Sequence, residues 1–284
     1  FKQKTAYEIR LSLVGSEMCI RDRAGNGLGR AIAMEFARAG SEVIVTDREL
    51  SRVEAVVAEI RRLGYNAIGF SFDVTRSDQI IAVRNQLHLE RGPIEVLVNN
   101  AGTVFGGEFG IVSLDRHLAT ISINLSGLVA VTHAFLPDLI SRPESRLINI
   151  ASAAAVLALP LAATYAASKW GVLGFAESLR EELRQLGHRH VRVSTICPSY
   201  ISTGLFDGAK PARLTSLLTP ESVARAVRRA TERGTQFVML PKSARLLYSV
   251  ASLMPGSLHS WICRRLGVTT SMTQWRGREV NQAP

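Results

Sequence analysis

Three side chains in this sequence have the types and spacing for proton transfer to an oxygen. Tyr165 and Lys169 stand four residues apart, and Ser152 lies thirteen residues before the tyrosine. On a helix, positions i and i+4 share a face, so the Lys169 ammonium falls beside the Tyr165 phenol. A cation there favours phenolate and is expected to lower the tyrosine pKa from its free value of about 10. A phenol tuned in that way exchanges a proton with a substrate oxygen near neutral pH. Ser152 supplies a hydroxyl for the same oxygen. By themselves, a Tyr and a Lys so spaced are equally an ordinary helix surface.

A second group of residues suits a phosphate and a ribose. Gly25-Asn26-Gly27-Leu28-Gly29 opens a helical pattern. Glycines there allow a tight turn, and the helix N-terminus that follows presents N–H groups and a positive dipole end to an anion. Asp47 ends the next apolar run, eighteen residues beyond Gly29. A carboxylate at that place accepts hydrogen bonds from both ribose hydroxyls and repels a 2′-phosphate, which favours NAD over NADP. Arg48 beside it softens the preference, and Asp47 also fits a helix N-cap. Asn99-Asn100-Ala101-Gly102 follows another apolar run. Its small residues leave room for a ligand, although the tetrapeptide alone is a turn signal.

Alternating strands and helices must hold these groups. Helices are expected at Leu28–Ala39, Leu50–Leu63, Ser77–Glu90, Leu114–Ile140 with an interruption near Pro137, Tyr165–Leu186 and Pro220–Arg233. Strands are expected at Glu42–Thr46, Ala67–Phe72, Val96–Asn99, Arg146–Ile150, Val191–Ile196 and Gln236–Leu240. Ser199–Leu218 has no clear period and reads as a loop. The alternation predicts βαβ units and a doubly wound parallel sheet in a single α/β domain.

The glycine turn, Asp47, Asp73, Asn-Asn-Ala-Gly, Asn124, Ser152 and Tyr-x-x-x-Lys stand in the order that resembles the short-chain dehydrogenase/reductase family. The similarity covers residues 24 to about 240. It implies a Rossmann fold and hydride transfer between a nicotinamide cofactor and an alcohol or carbonyl carbon. In that family Ser152 would position substrate, Tyr165 would act as acid and base, and Lys169 would contact the ribose and tune the tyrosine. Asn124 would support a proton-relay water. Cofactor contacts would fall to Gly25, Gly27, Leu28, Gly29, Asp47, Asp73, Val74, Asn100, Ala101, Gly102, Tyr165, Lys169, Pro198 and Thr203. Asp73 would meet adenine, and Thr203 the nicotinamide carboxamide. NAD is the expected cofactor, and no metal is expected. The family also implies a homodimer or homotetramer through Leu114–Ile140 and Tyr165–Leu186. Cys197–Gly204 and the tail, with Leu266–Val268, Ser271-Met272 and Arg276–Arg278, resemble the branch acting on retinoid, steroid and other lipid alcohols.

Two departures matter. Pro198-Ser199 stands where the family commonly has Pro-Gly, and Arg23 stands where its turn has the first glycine. Arginine adopts a glycine backbone only at a cost, which predicts weakened cofactor binding. The first twenty-three residues also read as DNA: Phe1–Ile9 back-translates to a common sequencing flow-cell adapter, and Ser12–Arg23 to a common transposon-end adapter. This segment is therefore expected to be non-native, in the place of the first strand, with any N-terminal targeting information lost. Residues 24–241 then form the catalytic domain and 242–284 a helical tail.

The chain has 284 residues and a net charge of +10; leaving out residues 1–23 removes five basic and three acidic residues and leaves +8. Zinc fingers, basic helix arrays and aromatic platforms are missing, so no nucleic-acid partner is expected. No run of eighteen apolar residues occurs, and the three cysteines lack metal-ligand spacing. The stretch Leu246–Leu266 sets Tyr248, Met254 and Trp261 among Arg245, Arg264 and Arg265. That pattern suits either a peripheral membrane contact or core packing. A cytoplasmic or peripheral-membrane location and a small hydrophobic alcohol or ketone substrate complete the expectation. The competing readings are a non-catalytic dinucleotide-binding protein and a truncated product that is inactive as written.

Overall fold

A computed structural model of the protein describes residues 11–14, 27–210, 216–243 and 256–275. Seven parallel strands form one sheet in the order β3-β2-β1-β4-β5-β6-β7. They are β1 (Leu11–Val14), β2 (Val43–Asp47), β3 (Ala67–Ser71), β4 (Val96–Asn99), β5 (Ser145–Ile150), β6 (Val191–Pro198) and β7 (Phe237–Leu240). The helices are α1 (Leu28–Arg38), α2 (Leu50–Arg62), α3 (Ser77–Arg91), α4 (Leu114–Ile121), α5 (Leu128–Ser141), α6 (Ala163–Gln185), α7 (Pro220–Arg233) and α8 (Gly256–Arg265).

Side chains alternate across a strand, so each strand feeds two cores. Val43 and Val45 of β2 pack with α1, α2 and α7, while Ile44 between them joins α3, α5 and α6 on the other face. Helices on both faces explain why the strands carry buried apolar residues on both sides. Glycine ends α1 and α2 with left-handed backbone, φ 89° at Gly40 and 83° at Gly64, conformations that are cheap without a Cβ.

The first-strand position is filled. Leu11–Val14 pairs in parallel with β2 on one side and β4 on the other, Leu13 lying opposite both Val45 and Val98. Four residues of the segment read as foreign thus supply a central strand. The physical reason is that ladder hydrogen bonds come from the backbone, which any non-proline residue provides.

The long helical stretch is interrupted elsewhere than expected. α5 runs through Pro137 without a break. The break is a π-helical segment at Ser122–Gly127, between α4 and α5. Together these three pieces, 114–141, are long and apolar enough to cross a bilayer by length and composition. Val131, Phe135 and Leu139 of α5 are spent on the core beneath the sheet.

Candidate active site

All strands are parallel, so their C-terminal ends lie along one edge of the sheet. Strand order reverses between β1 and β4, which opens a crevice at that edge. Asp47, Asn99, Ile150 and Pro198 are the last residues of their strands. A cleft of about 580 Å³ opens there, and its walls include Leu28, Asn100, Gly102, Ser152, Tyr165, Lys169, Pro198 and Thr203.

Ser152 caps the short 3₁₀ turn Ala153–Ala155, its Oγ accepting from the Ala154 N–H at 3.1 Å. Its hydroxyl also acts on the Tyr165 phenol, favouring the ionised form. Tyr165 and Lys169 project from the first turns of α6, and both are buried. Lys169 Nζ donates to the Ile150 carbonyl at 2.9 Å and lies 5.9 Å from the centroid of the Tyr165 ring. Burial pushes the lysine pKa down to about 8. The expected lowering of the tyrosine pKa is overturned: burial pushes it up to about 12 against the opposing effect of Ser152. The ammonium is anchored to a backbone carbonyl and sits over the ring, so desolvation of the phenolate outweighs it.

Asn124 lies in the π-helical segment and is fully buried. Its Oδ1 accepts from the Thr103 N–H at 2.7 Å, and its Nδ2 donates to the Thr103 carbonyl at 2.9 Å and to Ser168 Oγ at 3.0 Å. Ser168 Oγ in turn donates to the Tyr165 carbonyl at 2.7 Å. Asn124 therefore ties the segment after Asn-Asn-Ala-Gly to the helix that carries the tyrosine. Gly102 lies so close that a Cβ there would stand 3.4 Å from Lys169 Nζ and 3.5 Å from Asn124 Oδ1.

The cofactor side has a matching set of groups. Gly27 is the N-cap of α1, Leu28 and Gly29 begin it, and its first turn carries no acidic side chain. That leaves a positive helix end facing the cleft mouth. Gly25 lies outside the described residues. Asp47 is buried at the end of β2, with Oδ1 accepting from the Glu49 N–H at 3.0 Å. Asp73 and Val74 follow β3, away from the cleft lining. Asp73 Oδ1 accepts from the backbone and hydroxyl of Thr75, and Val74 packs under Gly127. Ala101 packs against the core beneath α5. Ser199 lines the cleft, and its Oγ is buried with no hydrogen-bond partner, an orphan polar atom of the kind a bound ligand satisfies. The residues present thus fit a dinucleotide.

The family model for short chain dehydrogenases matches residues 23–213. The chain belongs to the short-chain dehydrogenase family. It is an NAD(P)-dependent oxidoreductase. Among curated relatives, estradiol 17-beta-dehydrogenase 11 of Mus musculus is 29% identical over 90% of this chain and 85% of that protein. Epidermal retinol dehydrogenase 2 of Mus musculus is also 29% identical, over 90% and 84%. A metagenomic short-chain oxidoreductase solved with NADP is 31% identical, with a TM-score of 0.65 over 81% of this chain and 94% of that one. A Burkholderia phymatum short-chain dehydrogenase/reductase solved with NAD superposes with a TM-score of 0.73 at 23% identity, over 87% and 96%, a likeness of fold.

The structure adds residues that sequence reasoning did not single out for the cleft. Ile201, Leu205 and Phe206 line it from the segment after β6. A loop has no period, so nothing in the sequence marked these apolar residues as facing a ligand. The tail divides its apolar residues. Cys263, Val268 and Met272 pack inward, while Leu258 and Trp261 are exposed on α8, Trp261 beneath Arg265. Arg245, Tyr248, Met254 and Arg276–Arg278 lie outside the described residues.

Proposed function

We propose that this short-chain dehydrogenase uses NAD to oxidise, or NADH to reform, an apolar alcohol of the steroid or retinoid class. The observation that carries the reading is one cleft lined by Ser152 and Tyr165 together with an apolar wall of Ile201, Leu205 and Phe206. The relatives' names, estradiol and retinol dehydrogenases, support that substrate class. Asp47 supports NAD, since a buried carboxylate at the end of β2 repels a 2′-phosphate.

The nicotinamide supplies the hydride acceptor or donor. Tyr165 gives its proton to a carbonyl oxygen during reduction; in oxidation the phenol first releases its proton to solvent, and the phenolate then takes the hydroxyl proton. Burial holds the phenol protonated, the form that donates. Ser152 holds the substrate oxygen, Lys169 holds the ribose, and Asn124 keeps the wall around Thr103 in register. The start of α1, with Gly27, Leu28 and Gly29, takes the pyrophosphate, together with Gly25 of the same sequence motif. Asp47 takes the adenine ribose and Asp73-Val74 the adenine. Asn100, Ala101, Gly102, Pro198 and Thr203 enclose the nicotinamide half.

The test follows absorbance at 340 nm with NAD and with NADP over retinol, steroid and long-chain alcohols. Tyr165→Phe is expected to lower turnover by about 10²-fold or more, with an unchanged circular dichroism spectrum. Equal turnover by the variant overturns the role of Tyr165, and faster turnover with NADP overturns that of Asp47.

We infer that a second copy of the chain covers Leu114 and Leu118 of α4, Val129 of α5 and Trp170 of α6, all exposed large apolar residues. Trp170→Glu is expected to shift the sedimenting species towards the single protomer. An unchanged mass moves the contact elsewhere. We also propose that residues 1–23 are foreign to the parent gene; source DNA that encodes them natively overturns this.

A further inference from the structure

The tail after α8 meets the cleft wall formed by the segment after β6. Tyr200 Oη donates to Ser271 Oγ at 2.7 Å, and Ser271 Oγ donates to the Val268 carbonyl at 2.7 Å. The Lys210 N–H donates to the Ser271 carbonyl at 2.9 Å. Trp275 Nε1 donates to the Leu205 carbonyl at 3.2 Å. Three bonds thus fasten the segment 200–210 to the tail, near its start, its middle and its end.

The fastened segment is the one that carries the substrate wall. Phe206 stands edge-on to Tyr200, with centroids 5.3 Å apart, and edge-on to Tyr165, with centroids 5.7 Å apart. The contacts therefore run from Ser271 through Tyr200 and Phe206 to the Tyr165 ring. Met272 is buried in the same cluster as Tyr165 and Ala166. Trp275 seats so closely over Gly106 that a Cβ there would lie 2.9 Å from the indole ring. Only glycine admits that approach, so the segment after Asn-Asn-Ala-Gly is shaped to receive the tail.

We propose that residues 268–275 are a latch, in which Ser271 and Trp275 hold the segment 200–210 closed over the cleft and so set its affinity for an apolar substrate. The side chains of Leu205 and Phe206 are apolar, and the segment's ties to Leu218 are made by Tyr200 and Ser202 at its start, which leaves the tail to hold its middle and end. Ser271 and Trp275 are positioning residues: they act through that wall and touch no reacting atom. The consequence for substrate rests on the dehydrogenase reading above, whereas the latch itself does not.

The test uses the full chain with Trp275→Phe, which keeps a ring but removes the N–H, and with Tyr200→Phe, which removes only the hydroxyl. Amide hydrogen exchange is read across the molecule, and KM and kcat are read with whichever alcohol the wild type oxidises. Each lost bond is expected to speed exchange across 200–210 by about fivefold. It is expected to raise KM by a similar factor while kcat changes by less than about twofold. Restoring Trp275 and Tyr200 returns both readouts. Unchanged exchange in 200–210, or acceleration spread evenly over the sheet, overturns the latch. Accelerated exchange with an unchanged KM, or a fall in kcat alone, overturns its action on substrate. Exchange needs no turnover, so a wild type that reduces no NAD counts against the dehydrogenase reading and leaves the latch test intact.

Discussion

Lys169 carries a cost that the rest of the site offsets. Its ammonium is buried and has one backbone carbonyl as its recorded hydrogen-bond partner, so its pKa falls to about 8 from 10.5. Between those values the unfolded chain binds more protons than the folded one, and stability rises with pH. The lysine's contribution is fully present above 10.5 and is lost as pH falls through 8. Burial also pushes Cys197 up to about 12, which acts in the opposite sense above its ordinary value of 9.0. Comparison with Lys169→Met cancels that effect, since both proteins keep the cysteine. Urea unfolding at pH 8 and 9 is expected to show the wild type gaining about 1 kcal/mol on the variant. A constant difference would mean that the amine is not desolvated. The spacing of Tyr165 and Lys169 was legible because helical geometry is local. The balance between charge and burial at the phenol was not, because desolvation depends on everything packed around it.

Element boundaries were legible to within a few residues wherever a local stop exists, as at Pro220–Arg233 and Val96–Asn99. The interruption of the long helix was not. Pro137 is the visible breaker in the sequence, since proline lacks an N–H. The actual irregularity ends at Gly127, where the helix runs so close to the residues after β3 that a Cβ would stand 2.8 Å from Val74 Cγ2. The π-helical segment places Asn124 where both its oxygen and its nitrogen meet the Thr103 backbone. Asn124→Ala would leave a buried N–H and a buried carbonyl unpaired, at about 1–3 kcal/mol each. Denaturant titration is expected to show a loss of about 3 kcal/mol. A loss below about 0.5 kcal/mol would mean that the pair is not what holds the loop.

The whole molecule depends on a strand whose residue identities carry little information. β1 sits between β2 and β4, bonded on both sides. Leu13→Pro removes a ladder N–H from the middle of the sheet and is expected to cost about 3 kcal/mol or more. A thermal melt checks it. An unchanged midpoint would mean that residues 11–14 are not the central strand.

From residue 24 onward the sequence by itself determined the fold class, because helix and strand periodicities are local, and the order of its motifs, through their resemblance to the short-chain dehydrogenase/reductase family, implied the reaction. Tertiary structure alone decided what fills the first-strand place, where the long helix breaks and which protonation state burial favours at Tyr165. It also decided what closes the cleft. Segments 200–210 and 271–275 have no shared period and lie about seventy residues apart, and only packing of the whole chain brings Trp275 to the Leu205 carbonyl.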